Sequence, residues 1–424
     1  MSNKKIKAID IFSGCGGVSC GLISAGFEIV AAVEIEPAAI KVYNEYKPFS
    51  NVNVISEDIC DLTGTDIIAA GGVDRDDIYL LAGCPPCQNF SFQNRNGKRK
   101  SEELRKELLF QFLRVIQDVY PPFILMENVP GIVSKFKYVD DEGKQYASNE
   151  EILEGFLAEL CDEYRSENER YYVVSDVLNA ADYGVPQLRK RFVLHAVRCD
   201  IYRRLKEKGF DFELPKKTHN KTGEFGLKRW KTVRDAIGDL PPIVHGEIFV
   251  DPDGKIHNHK CARLSELNVR RIQCVRRNGG SRTGLPDDLV LNCHKKVKSD
   301  GMPYSGYKDV YGIMDYDKPS PTLTGGCLSY TKGRFGHPTQ DRAISIREAA
   351  RLQSFPDDFI FENTVTSAGL QIGNAVPVKL VKASGEEFMR CIRVLQAEHE
   401  RLEEAETMSV SEARDGLRKR IIEE

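Results

Sequence analysis

Four side chains stand where short apolar runs give out, and their types suit covalent chemistry on a polarised ring or carbonyl. Cys87 follows the run YLLAG and the rigid pair Pro85-Pro86, a setting that presents a thiol at the end of a strand. A thiolate is the most readily formed strong nucleophile among the side chains. Glu127 follows the run FILM. A carboxyl at a buried strand end has a raised pKa and can hold a proton near neutral pH. Arg189 and Arg191 alternate with Leu188 and Lys190 on an extended segment, so both fall on one face. Two guanidiniums beside a carboxyl and a thiol suit an anion or a polarised carbonyl.

A second group reads as a ligand cradle. Gly14, Gly16 and Gly17 lie in DIFSGCGGVSCGLISAGF, residues 10–27, where they let the backbone approach a ligand just before a helix N-terminus. The spacing is not the G-x-G-x-x-G of a dinucleotide site. Glu34 ends the next apolar run, placed to accept from two ribose hydroxyls, and Ile35 beside it suits an adenine face. Asp58, after a third strand, could accept from an adenine amino group. Each acid alone is as often a plain surface carboxylate; three strand ends in series carry the reading.

Positioning such groups needs a sheet. The segments IKAIDIF, EIVAAVE, YLLAG, FILMEN, YYVVSDVL and RFVLHAV alternate with helical patterns near Val18 to Ala25, Ala38 to Tyr46, Glu103 to Val119 and Glu151 to Tyr164. That order predicts an α/β fold: a doubly wound, mostly parallel, Rossmann-like sheet with ligands at the carboxyl ends of its strands. Between about 200 and 340 the periodicity dissolves into Gly, Pro, Asn and charge, as in GDLPP at 238–242 and GGSRTGLPDD at 279–288, which predicts a smaller loop-rich domain. Helical patterns return at Ile346 to Gln353 and from Val376 to Glu404. The expected division is 1–197 for catalysis and cofactor binding, 198–345 for recognition, 346–404 completing the first unit, and a charged tail at 405–424.

The net charge of -3 hides a segregation: residues 186–340 hold 30 Lys/Arg against 17 Asp/Glu, a net +13, and the remainder is -16. A basic segment in an acidic chain suits a phosphate-facing surface. No stretch approaches the roughly 18 apolar residues of a membrane span, and the basic start Met1 to Lys7 has no apolar run behind it, so a cytoplasmic protein is expected. Twelve irregularly spaced cysteines fit reduced thiols. Cys84 and Cys87 form a C-x-x-C pair without a second pair, and His257, His259, Cys261, Cys274, Cys293 and His294 match no standard zinc spacing, so no metal is expected.

The order of these segments resembles the cytosine-5 DNA methyltransferase family of the bacterial type. The likeness covers about residues 8–197 and 319–380: Phe12 to Gly17 for F-x-G-x-G-G, Pro86-Cys87-Gln88, Glu127-Asn128-Val129, Gln187-x-Arg189-x-Arg191, Arg347 to Pro356, and Gly373 to Pro377. It implies S-adenosylmethionine as cofactor, bordered by Phe12, Ser13, Gly14, Cys15, Gly16, Gly17, Glu34, Ile35, Asp58, Ile59, Pro86, Asn374 and Val376. It also implies that Cys87 attacks carbon 6 of a flipped cytosine while Glu127 serves ring N3, Arg189 steadies O2, and Arg191 completes the group.

Duplex DNA is then the expected partner, with a restriction endonuclease as companion and a single chain as the working unit. Nucleic-acid contacts are expected from Gln88, Ser91, Arg95, Lys98 and Arg99 in the loop after Cys87, from Gln187, from Arg276, Arg277 and Arg282, and from the Thr322-Leu323 element. Methylation of tRNA cytosine on the same scaffold is the second reading; a catalytically silent binder of DNA or cofactor is the third. The large basic insertion favours DNA.

Overall fold

The computed structural model describes residues 5–86, 102–135, 138–139, 145–146, 148–291, 309–362 and 364–397. Seven strands build one sheet: β1 (Ile6–Ile11), β2 (Phe27–Val33), β3 (Asn53–Ile55), β4 (Ile78–Gly83), β5 (Phe123–Asn128), β6 (Tyr171–Asn179) and β7 (Lys190–Arg198). Their spatial order is β3-β2-β1-β4-β5-β7-β6. The first five run parallel, and β7 inserts antiparallel between β5 and β6. The near-continuous apolar runs of β1, β4 and β5 follow from burial on both faces.

Helices cover both faces, as right-handed crossovers between parallel strands require. On one face α3 (Gly64–Ala70), α4 (Glu102–Val119) and α5 (Asn149–Leu160) pack through Ile67, Phe112, Ile116 and Phe156 onto Ile9, Ile124 and Met126. On the other, α1 (Gly17–Ala25), α6 (Cys199–Glu207) and the helix α11 at 378–397 pack through Leu22, Leu205 and Phe388 onto Ala8, Leu80 and Phe123. Helix α2 (Pro37–Glu45) packs through Val42 and fully buried Tyr43 into a cluster with Ala32 of β2. Helix α1 starts tightly because Gly16 sits at φ 97, and a Cβ there would run into the ring of Phe49.

The sheet and its helices follow the expected alternation, with differences at ends. Helix α5 stops at Leu160, short of Tyr164, and 199–207, expected to open the loop-rich region, forms α6. Helix α10 (Val365–Asn374), which the pattern did not signal, precedes α11. Packing does not break at residue 197: Ile201, Leu205 and Phe212 share the core of β1 and β4. Likewise α7 (Val233–Ile237) and α9 (Ile346–Leu352) join Cys20, Tyr43 and Phe49 in a third cluster. A small separate core, with Ile272 and Val275 of α8 (Glu266–Arg277), Leu285, Leu289, Tyr311 and Tyr330, lies wholly within 264–343.

Candidate active site

The carboxyl ends of β4 and β5 meet at the site. Strand β5 carries four apolar residues and then two buried polar ones, Glu127 at 9% exposure and Asn128 at 1%. Asn128 donates from Nδ2 to the carbonyl of Pro85 at 3.1 Å and accepts from the Val129 N–H at 2.9 Å. It thereby ties the end of β5 to the turn leading to Cys87. Cys84 is held by its N–H to the Ile11 carbonyl at 3.3 Å.

Antiparallel β7 sets Phe192 opposite Asn128, so Arg191 arrives beside the strand end. Its Nε lies 2.8 Å from Glu127 Oε1, both side chains being 11% exposed. The Arg191 N–H is not aligned on that oxygen, and Oε1 has no aligned donor among the described residues. Arg191 therefore meets the acid mainly as a charge, and the Cys84 thiol bears on the same carboxylate. Burial raises the Glu127 pKa, while Arg191 and then Arg189 pull it back. A buried acid beside a fixed cation can hold or share a proton with a polarised ring.

Arg189 does different work from the one expected. At 1% exposure it donates to the carbonyls of Leu323 at 2.5 Å, Gly373 at 2.8 Å and Ala375 at 3.1 Å. Its guanidinium clamps β7 to the Thr322-Leu323 element and to the end of α10, and Arg191 takes the place beside the acid. Gln187 and Leu323, expected at the nucleic acid, are both fully buried. The Gln187 amide donates to Gln353 Oε1 at 3.0 Å and the Leu352 carbonyl at 3.2 Å, and accepts from the Leu323 N–H at 3.0 Å. These side chains shape the site from behind and cannot reach a duplex. Thr322 is exposed, with its hydroxyl on the Leu188 carbonyl at 2.7 Å.

The glycine turn has the form of a cradle. Gly14 N–H donates to Glu34 Oε2 at 2.7 Å, while Ile35 and Glu36 N–H groups donate to Oε1 at 2.9 and 2.8 Å. Glu34 thus fixes the turn at the end of β2, with both lone pairs of Oε1 taken and one on Oε2 still able to accept. A Cβ at Gly14 would meet nothing within 4 Å, so the turn opens on space. Ile35 beside it is 60% exposed.

Asp58 is exposed, caps a short turn through the Cys60 N–H at 3.0 Å, and precedes buried Ile59. Phe12 is half-buried at φ 60; Ser13 and Cys15 are buried, burial pushing the Cys15 thiol up to about 12. Pro86 and Asn374 are exposed, and Val376 packs its carbonyl against Gly17, where a Cβ would come within 2.8 Å of it. Open turn, exposed apolar side chain and strand-end carboxylates fit an adenosine-type cofactor.

Asp10 was not signalled beyond being an acid inside an apolar strand. It is fully buried and accepts from the N–H of Ser19 at 3.1 Å and its hydroxyl at 2.6 Å. The Ser19 hydroxyl continues to Tyr43 Oη at 2.7 Å. Burial pushes Asp10 up to about 7.

Cys87, Gln88, Ser91, Arg95, Lys98 and Arg99 lie outside the described residues, as do Cys293 and His294. Arg276 is committed inside the protein, to Asp341 at 3.1 Å and to the carbonyls of His337, Pro338 and Gln340, which removes it as a base or phosphate contact. Arg277 is exposed on α8, and Arg282 is half-buried. His259 bonds Ser345 and the Pro241 carbonyl. Among the described residues no group of three or more His, Cys, Asp or Glu could hold a metal, and no helix is long and apolar enough to cross a membrane.

Comparison with known proteins agrees with this layout. The chain is similar to the Type II methylase M.HgiDII of Herpetosiphon aurantiacus, 33% identical over 397 residues, covering 93% of this chain and 97% of that one. It is 32% identical over 382 residues to the Type II methyltransferase M1.HphI of Haemophilus parahaemolyticus, covering 90% and 86%. Among solved structures, S. pombe Dnmt2 methyltransferase superposes with a TM-score of 0.53 at 18% identity, over 93% of this chain and 99% of that one. A prophage-encoded E. coli chain gives 0.59 at 23%, over 92% and 100%. At those identities the two structures speak for the fold. The sequence profile of C-5 cytosine-specific DNA methylases matches residues 6–390, nearly the whole catalytic frame described above, and the chain belongs to that family.

Proposed function

We propose that this chain moves a methyl group from S-adenosylmethionine to carbon 5 of a cytosine flipped out of duplex DNA, with Cys87 as the covalent nucleophile. The observation that carries the reading is the group at the carboxyl edge: buried Glu127, Arg191 at 2.8 Å from it, and Asn128 bonded to the turn that runs into Cys87. A duplex stacks its bases out of reach of any such pocket, so extrusion of the target is part of the reaction.

The Cys87 thiolate forms a bond to carbon 6, and the displaced electron pair enriches carbon 5 as Glu127 holds a proton on or toward ring N3. Arg191 balances the charge near O2, the role that the resemblance implies for Arg189; the clamp made by Arg189 keeps the pocket wall in place. Loss of the carbon 5 proton and expulsion of Cys87 restore the aromatic ring and the thiolate. The cofactor supplies an electrophilic methyl on a sulfonium. Gly14, Gly16 and Gly17 would accept its close approach, Glu34 its ribose, Ile35 its adenine face, and Asp58 with Ile59 its outer edge. Phe12, Ser13, Cys15, Pro86, Asn374 and Val376 close the surroundings.

Recognition belongs to the basic segment within 198–345, with Arg277 exposed on α8 as a contact, together with Arg282, Thr322 and the residues after Cys87. A single chain is the working unit of this reading. Its Type II relatives support a companion restriction endonuclease. The test is transfer of labelled methyl groups to duplex DNA, followed by nucleoside analysis. Label in 5-methylcytosine that vanishes in Cys87→Ser, with cofactor and DNA binding retained, is expected; undiminished transfer in that variant rules out the mechanism.

A further inference from the structure

At the far edge of the sheet, the loop between Asn220 and Trp230 is built to hold one aromatic side chain in solvent. The Asn220 side chain accepts from the N–H groups of Thr222 and Gly223 and donates to the Glu224 carbonyl at 2.9 Å, closing the loop on itself. At its tip Phe225 is 92% exposed and sits at φ 59, a left-handed conformation that is strained for a bulky residue. At that exposure the ring adds little to the packing of the chain itself.

The surroundings are cationic. Lys228, Lys231 and Lys379 have no carboxylate partner among the described residues; Lys379 meets only the Gly184 carbonyl, at 3.4 Å. The three converge on His219, whose protonation is disfavoured first by burial and then by those three charges. Lys231 and Lys379 line a cleft of about 630 Å³. Of its three aspartates, Asp239 and Asp357 pair with Arg351, while Asp235 caps α7 through Thr232 and also bears on Lys231, so the cleft's four cations exceed its acids by one. With Lys228 beside it, a net positive charge around an exposed ring suits a partner that alternates anionic and apolar surface, as a nucleic-acid duplex does.

Location agrees. Trp230 Nε1 donates to Asp182 Oδ1 at 2.9 Å, and the Thr218 N–H to the Asp182 carbonyl at 3.0 Å, fastening the loop to the turn that leaves β6. That turn is at the same end of the sheet as Glu127. With β6 two places from β5 and strands about 4.8 Å apart, the anchor is about 10 Å to the side of the base pocket.

We propose that this surface is a second duplex contact outside the base pocket: Lys228, Lys231 and Lys379 neutralise phosphates flanking the target, and Phe225 packs on sugar and base edges between them. It rests on DNA being the substrate, as proposed above. The test uses the full chain and a duplex of mixed sequence, titrated across a range of KCl concentrations. The triple change Lys228→Gln, Lys231→Gln, Lys379→Gln should flatten the slope of log affinity against log salt by about 0.9 for each phosphate no longer neutralised. Phe225→Ala should weaken binding about fivefold or more with the slope unchanged.

Thermal melting and cofactor affinity serve as folding controls, and the exposed Lys228→Gln alone is the fallback if the triple variant unfolds. Parental slope and affinity in folded variants overturn the proposal and leave the catalytic reading intact. Absence of DNA binding by the parent itself would take down both.

Discussion

At the scale of single residues the account turns on which arginine faces the acid. Spacing placed Arg189 and Arg191 on one face, and both do act on Glu127. Sequence alone could not say that Arg189 would be consumed by the carbonyls of Leu323, Gly373 and Ala375, because those partners lie more than 130 residues away. Arg191→Ala should therefore slow single-turnover methylation by roughly 10² or more while the melting temperature holds. Arg189→Ala, leaving three buried carbonyls without their donor, should instead lower stability by roughly 3 kcal/mol or more. The reverse pattern would return the substrate contact to Arg189.

Glu127 has a sign that can be checked. Its pKa is raised, so the protonated form needed at N3 persists toward neutrality and is lost as pH rises through the shifted value. Cys87 requires the opposite, gaining thiolate as pH rises toward about 8.5. The rate should be bell-shaped in pH, and in Glu127→Gln the residual activity, lower by roughly 10² to 10⁴, should lose its alkaline fall. Persistence of that fall in the variant would assign it to another group.

Elements were more legible than side-chain partners. Apolar runs of five to eight residues marked the long strands of the sheet, least ambiguously β1, β4 and β5, which are buried on both faces. Helix α10 escaped because its polar and small residues, VTSAGLQIGN, give no clean apolar stripe. Gly373 in it is needed for approach: a Cβ there would overlap the backbone of Thr324. Asp10 escaped because one acid in IKAIDI looks like an edge residue, yet it braces β1 against the start of α1.

With its folded pKa near 7, well above the unfolded value of about 3.9, Asp10 favours the folded state when protonated. That contribution is full below pH 4 and is lost as pH rises through 7. Asp10→Asn should flatten this part of the stability profile and gain on the parent at neutral pH, read as melting temperature from pH 4 to 8. An unchanged profile would mean that Asp10 does not titrate in this window.

For the whole molecule, charge segregation was readable but domain edges were not. The segment 186–340 is basic as a count, yet Arg276 and Arg234 are tied to Asp341 and Asp317, so the count overstates the surface available to phosphates. Packing continues past residue 197, where α6 and α7 share cores with the sheet helices, and α9 joins the same core as the expected return of the chain to the first unit. Buried Arg342, paired with Glu348 at 2.6 Å, and Arg347, donating to the carbonyls of His257, Pro356 and Phe359, fasten the recognition segment to α9. Such contacts join residues distant in sequence and leave no local signature. Their consequence is that the segment proposed for recognition is fastened to the main core while keeping a small core of its own around Ile272 and Tyr330.

The most direct test of the central claim is covalent trapping. Duplex DNA of mixed sequence containing 5-fluorocytosine is incubated with the protein and S-adenosylmethionine, since fluorine at carbon 5 blocks the loss of a proton that frees the enzyme. The account predicts a denaturation-resistant complex with duplex DNA that disappears in Cys87→Ala and is absent with tRNA in parallel. A complex formed equally by Cys87→Ala, or formed with tRNA and not with DNA, would contradict it.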